Sequence, residues 1–215
     1  MIKIMLTIPI DTAEALKYFK KTDEIMYSLL YTSLNAKSPI AVPKPKAVDD
    51  YFGTILTSII SQQISTKAAD AVRGRVLDFL GEFTPETVMK SDFDDLKACG
   101  LSGQKTKYIK HNAEVWHTVP TSDFASMTDA EVITELTKLY GIGRWTAEMF
   151  LMFCLARPDV FSYGDLVLMN ALYKQYNFKP HYVRKVRETV NTWSPHQTTA
   201  SLALWYTIDN GPVLL

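Results

Sequence analysis

Cysteine is nearly absent from this chain: Cys99 and Cys154 are the whole complement in 215 residues. Two thiols cannot build a disulfide framework, a four-cysteine zinc site or an iron–sulfur cluster. Their settings, KACGLSG and FLMFCLA, read as small buried hydrophobes. Long apolar runs are missing too, and none approaches the ~20 residues a membrane-spanning helix needs. The opening MIKIMLTIPIDTAEAL has neither the apolar stretch nor the A-x-A-like site of a secretory signal. These absences predict a cytoplasmic protein with reduced thiols and no membrane partner. An excess of either charge is also lacking, with 23 basic against 23 acidic residues. That weighs against a nucleic-acid partner, which usually meets a basic surface. It leaves room for segregated charge, because GLSGQKTKYIKH is basic while DFDDL and DAEVITE are acidic.

What is present is apolar periodicity. Apolar residues make up 47% of the chain. The length suits one large domain or two small helical lobes and buries roughly 70% of the unfolded surface. Beyond an alternating stretch at Met1–Pro9, which reads as a short strand or a packed tail, the pattern is helical. Asp11 and Asp23 each open a helix. KSPIAVPKPK, with three prolines, reads as an extended connector. A long helix fits Val48 to Ile60, and Ser65 caps another to Leu80. Shorter helices fit Pro85–Met89, Phe93–Ala98 and Gln104–Trp116. Thr128 with Glu131 makes a capping-box pattern, opening a helix to Tyr140. A strongly apolar helix runs from Arg144 to Ala156, and late helices fit Tyr182–Trp193 and His196–Ile208. The expected class is all-α, with two helical lobes and a central cleft.

Two motifs carry chemistry. In LTKLYGIGRWTAEMF, Gly141-Ile142-Gly143 joins two helices too closely for a crossover, giving a tight hairpin at about residues 131–156. The amides opening the second helix lack intrahelical partners, which makes them an anion site suited to a phosphate. A plain tight turn explains the glycine pair equally well. A dinucleotide-binding reading fails because no strand precedes the glycines, and no GK[ST] follows for a P-loop. In DVFSYGDLVLMNAL, Asp165 precedes an apolar run. It reads as an ordinary helix N-cap, and a capping carboxylate at a helix's positive end stays ionised. A fixed anion of this kind stabilises an oxocarbenium-like sugar and orients water. Asp159 is the competing carboxylate.

The string L-x-x-L-x-G-I-G-R-W-T-A, followed by V-F-x-x-x-D, resembles the helix-hairpin-helix superfamily of DNA glycosylases, closest to the DNA-3-methyladenine glycosylase II group. The resemblance covers about Asp49 to Asp209. It implies that Asp165 is the catalytic carboxylate. It implies that Gly141, Ile142, Gly143, Arg144 and Thr146 meet DNA, and that the carbonyls of Thr137, Leu139 and Gly141 hold a monovalent cation; no cofactor is otherwise required. Bifunctional members carry a lysine where Trp145 stands, so hydrolysis without strand cleavage is expected. Trp145 and Trp205 are candidate walls of a pocket for a flipped, cationic base, with core packing as the plain alternative. Met149 and Leu166 stand where relatives carry aromatics. ISQQIS places Gln63 at the family's DNA wedge and Gln62 beside it; a polar turn is the alternative. Lys105, with Lys107 and Lys110, is expected near phosphates. A full N-terminal sheet domain is expected to be missing or reduced, and the resemblance implies that residues 1–46 form an arm and helices packing on the C-terminal lobe while residues 47–215 form the core.

The implied function is monofunctional excision of alkylated purines, 3-methyladenine or 7-methylguanine, from double-stranded DNA in base excision repair. The enzyme is expected to act as a monomer, nucleoid-associated or nuclear according to its cell type. A non-catalytic helix-hairpin-helix DNA-binding protein and a glycosylase for another damaged base remain alternatives.

Overall fold

The computed structural model describes residues 10–179 and 182–208. The strand-or-tail expectation at Met1–Pro9 lies outside them. The described residues are all-α, with twelve α-helices and no strand. Each helix start follows from local chemistry. Asp11 caps α1 (Thr12–Thr22), its carboxylate accepting from the amides of Ala13 and Glu14. Asp23 caps α2 (Glu24–Leu34) through the Met26 amide. The expected long helix splits into a 3-10 turn at Val48–Asp50 and α3 (Tyr51–Ser61). Ser65 caps α4 (Thr66–Leu80). Next come α5 (Pro85–Lys90), α6 (Phe93–Ala98) and α7 (Gly103–Val115). Thr128 and Glu131 close a reciprocal capping box on α8 (Asp129–Leu136). The remaining helices are α9 (Arg144–Phe153), α10 (Leu166–Gln175), α11 (Val183–Asn191) and α12 (Gln197–Tyr206).

These helices form two compact units, and the boundary falls inside α9, between Phe150 and Leu151. The first unit holds residues 46–150 and is built around α3. Phe52, Ile55, Leu56, Ile59 and Ile60 are buried almost completely. Each such side chain contributes about 1.5–3 kcal/mol over its exposed state. Tyr51, Phe124 and Phe150 add an edge-and-stack ring cluster.

The second unit joins residues 10–45 to residues 151–208. Phe19, Met26, Leu30, Leu172, Val190 and Trp193 make its core. One carboxylate ties its parts together. Asp23 Oδ2 accepts from the Tyr176 hydroxyl at 2.7 Å and from the Trp193 indole N–H at 2.9 Å. Burial, with the nearby Asp23 charge, pushes the Tyr176 phenol far above its ordinary range. It stays a neutral donor at any physiological pH.

Both cysteines are buried without a disulfide. No described helix is long and apolar enough to cross a membrane.

Candidate functional site

The hairpin turn, with its first helix and the start of its second, lies in the first unit. Its first helix, α8, stops at Leu136, four residues before the expected Tyr140. The reason is local competition for carbonyls. The Thr137 hydroxyl bonds back to Ile133, and the amides of Lys138 and Leu139 tighten to i−3 partners. The buried Asn112 of α7 then takes the Tyr140 peptide on both sides. Its Oδ1 accepts from the Tyr140 amide at 2.8 Å, and its Nδ2 donates to the Tyr140 carbonyl at 2.9 Å. Gly141 turns the chain at φ +77°, where an added Cβ would lie 2.4 Å from the Tyr108 ring. Only glycine meets both demands. Ile142 and Thr146 are buried, while Gly143 and Arg144 are exposed at the start of α9. Arg144 pairs with the buried Glu148 of its own helix at 2.8 Å.

The expected cation ligands are three backbone oxygens on this turn. The Leu139 carbonyl accepts the Ile142 amide at 3.2 Å, and the Gly141 carbonyl accepts the Gln62 side-chain amide at 2.8 Å. Each oxygen keeps a second lone pair. Neutral carbonyls suit a monovalent ion. Among the described residues no cluster of His, Cys, Asp or Glu could hold a metal.

The turn after α3 meets the hairpin through that Gln62 bond. The next residue, Gln63, is exposed and sits at φ +59°, an unusual setting for a side-chain-bearing residue. Lys105 departs from the phosphate-facing expectation. Its ammonium donates to the Ile60 carbonyl at 2.7 Å and to the Gln62 carbonyl at 2.6 Å. Partial burial lowers its pKa from the usual lysine value. Lys110 is similarly engaged, holding the carbonyls of Val88, Met89 and Ser91 at the end of α5. A helix C-terminus attracts a cation and leaves carbonyls to satisfy, so both lysines fasten helix ends. Lys107 is exposed.

Trp145 is 44% exposed. With Ser58, Ser61, Gln62 and Gln63 it lines an open cavity of about 260 Å³. The Ser58 and Ser61 hydroxyls donate to carbonyls one turn back in α3. They therefore offer lone pairs to the cavity. Met149 is buried in α9 and does not line this cavity.

The carboxylate lies in the second unit. Asp165 is buried and caps α10, accepting the Leu168 amide at 2.7 Å on Oδ1. The Trp205 indole N–H reaches the same oxygen at 3.5 Å, a long contact. Trp205 is itself buried, tilted against Phe153 with ring centroids 5.9 Å apart. Leu166, beside Asp165, is 78% exposed. Asp159 has a structural use instead. It accepts from the Ser194 hydroxyl at 2.6 Å and from the Gln197 amide at 3.3 Å, at the start of α12.

Sequence reasoning missed Asn112 and the clamping use of Lys105. Asn112 had a signal, since a polar residue sits beside Ile109 and Ala113 on the buried face of α7. Lys105 had none, because its partners are 43 and 45 residues away.

The hairpin and the buried capping carboxylate both fall within residues 56–196, which match the model of the HhH-GPD superfamily base excision DNA repair proteins. The chain belongs to that family. It is 35% identical over 161 residues to DNA-3-methyladenine glycosylase 1 of Schizosaccharomyces pombe, covering 71% of this chain and 70% of that one. It spans only 52% of the DNA-3-methyladenine glycosylase of Saccharomyces cerevisiae, to which it is 34% identical. Its fold matches the DNA-3-methyladenine glycosidase of Bacillus halodurans with a TM-score of 0.78 at 30% identity, over 91% of this chain and 89% of that one. It matches the S. pombe 3-methyladenine DNA glycosylase Mag1, solved with abasic DNA, with a TM-score of 0.72 at 28% identity, over 90% and 96% of the two chains.

Proposed function

We propose that this protein is a monofunctional DNA glycosylase that hydrolyses the N-glycosidic bond of alkylated purines, 3-methyladenine or 7-methylguanine, in double-stranded DNA. The observation that carries the reading is Asp165: a buried carboxylate whose Oδ1 is held by the Leu168 amide and approached by the Trp205 indole N–H. Breaking the bond builds positive charge on C1′, which a fixed anion stabilises. The same carboxylate orients the attacking water. A methylated purine leaves as a neutral base, because it already carries positive charge, and needs no strong general acid.

The other parts have matching duties. The hairpin amides after Ile142 bind a phosphate without reading sequence. A monovalent cation on the Thr137, Leu139 and Gly141 carbonyls would add positive charge at that phosphate. Trp145 offers an electron-rich face to a cationic base at the cavity edge, and Gln63 is the wedge. A tryptophan at position 145 supplies no amine for Schiff-base chemistry, so the strand stays intact. The monomer is the working unit, acting wherever the cell keeps its DNA.

The test is base release from methylated duplex DNA, wild type against Asp165→Asn. The expected result is release of methylpurines by wild type alone, leaving alkali-labile abasic sites, with DNA binding unchanged in the variant. A folded wild type that binds DNA but releases no methylpurine removes the alkylpurine reading and leaves a glycosylase for another lesion or a non-catalytic binder.

A further inference from the structure

The turn between α3 and α4 is held from two sides. From α7, the Lys105 ammonium grips the Ile60 and Gln62 carbonyls at 2.7 and 2.6 Å. From the hairpin, the Gly141 carbonyl accepts the Gln62 side chain at 2.8 Å. Lys105 is itself fixed at its backbone, where its amide donates to the α7 cap Ser102. Immediately after these anchors Gln63 projects as an exposed side chain on left-handed backbone. Left-handed settings persist in side-chain-bearing residues when the surroundings over-determine them. Here the surroundings are one ammonium and one carboxamide, reaching across 43 and 79 residues of chain.

We infer that Lys105 is a positioning residue: it fastens the α3–α4 turn to α7 while Gln62 fastens the turn to the hairpin, so that the phosphate grip and the Gln63 wedge work as one rigid device. The clamp's use rests on the proposed glycosylase reading, in which Gln63 enters the base stack. A wedge on a loose turn would lose insertion to the disorder of the turn. A wedge fixed to the phosphate-binding backbone arrives in register whenever the hairpin docks. The device differs from a phosphate contact by Lys105. Such a contact would strengthen binding to any duplex and steepen its salt dependence.

The experiment uses a duplex with 2-aminopurine beside a stable abasic-site analogue, so that wedge insertion is read by fluorescence without catalysis. Lys105→Met, Lys105→Arg and Gln62→Ala are compared with wild type. Affinity for an undamaged duplex is measured in parallel across a range of salt. Lys105→Met is expected to lower insertion about 10- to 100-fold, the range set by losing hydrogen bonds to a charged group. Its undamaged-duplex affinity and salt slope should stay as in wild type. Lys105→Arg should restore most of the insertion, and Gln62→Ala should lose part of it. Undiminished insertion in Lys105→Met overturns the inference. So does a parallel loss of undamaged-duplex affinity with the salt slope reduced by about one, which marks a phosphate contact. If Lys105→Met fails to fold, Gln62→Ala decides alone, and wild-type insertion in it overturns the clamp. A wild type that inserts its wedge but releases no methylpurine overturns the proposed function and leaves the clamp standing.

Discussion

Under the proposed function, the two units work with different parts of the polypeptide. In the first, the working groups are main-chain amides and carbonyls on a turn, set by Asn112, Gln62 and Gly141. In the second, the working group is a single buried side chain, Asp165, set by its own helix and by Trp205. Backbone recognition suits a partner whose repeating feature is a phosphate. Bond breaking needs one carboxylate at one atom. The contrast teaches where each unit is vulnerable. The first is broken by changing neighbours of its working groups, and the second by changing the group itself.

The sharpest break separates the roles of Asp165. Asparagine caps helices as well as aspartate does, so Asp165→Asn should remove base release, by a thousandfold or more on the scale of transition-state electrostatics (~4 kcal/mol), while thermal unfolding stays close to wild type. Asp165→Ala should add a cap loss of about 1 kcal/mol, seen as a lower denaturation midpoint. Equal melting of the two variants would show that the cap contributes nothing.

Next comes the support of the hairpin. Asn112→Ala leaves the Tyr140 N–H and C=O without their partner and should cost about 2–4 kcal/mol, read by urea unfolding. Its effect on DNA binding should exceed its effect on the single-turnover rate of bound complexes. Gly141→Ala attacks the same turn through its positive φ and the Tyr108 ring. It should weaken undamaged-duplex binding about tenfold, and Tyr108→Ala should relieve only the steric part. Full rescue by Tyr108→Ala would show that φ at this position is immaterial.

The smallest effect is a pH dependence in the second unit. His196 packs edge-on against Tyr18 and Phe19, with ring centroids 5.2 and 6.1 Å away. Burial lowers its pKa against the raising influence of Glu14, Asp159 and Asp11. With the folded pKa below the unfolded 6.5, the unfolded chain takes up the proton first as pH falls. Stability is therefore full above pH 6.5 and declines slightly on acidification below it. The decline should vanish in His196→Asn, measured by thermal unfolding between pH 7.5 and 5.5.

The legible part of the fold was its helix starts, because caps act within three residues. Asp11, Asp23, Ser65 and Thr128 each accept the amide that their position in the sequence implies. Helix ends were less legible. The α8 end depends on Asn112, a residue of another helix. The apolar run expected to continue to Ala156 ends as helix at Phe153, with Ala156 at φ +51°. At the site, the capping geometry of Asp165 was readable from its neighbours. The uses of Lys105 and Lys110 were not, because a basic stretch reads locally as a solvated face, whereas their carbonyl partners arrive from α3 and α5. Trp205 reads as a pocket wall from the resemblance; its burial against Phe153 and the reach of its N–H to Asp165 depend on partners outside its own stretch of sequence.

The two occupied lysines have a consequence for how such a protein finds its target. Their ammoniums lie against backbone carbonyls, and the chain as a whole carries no net charge. Ammoniums held this way are not spent on phosphates, so replacing either lysine should leave the salt dependence of duplex binding as it is in wild type.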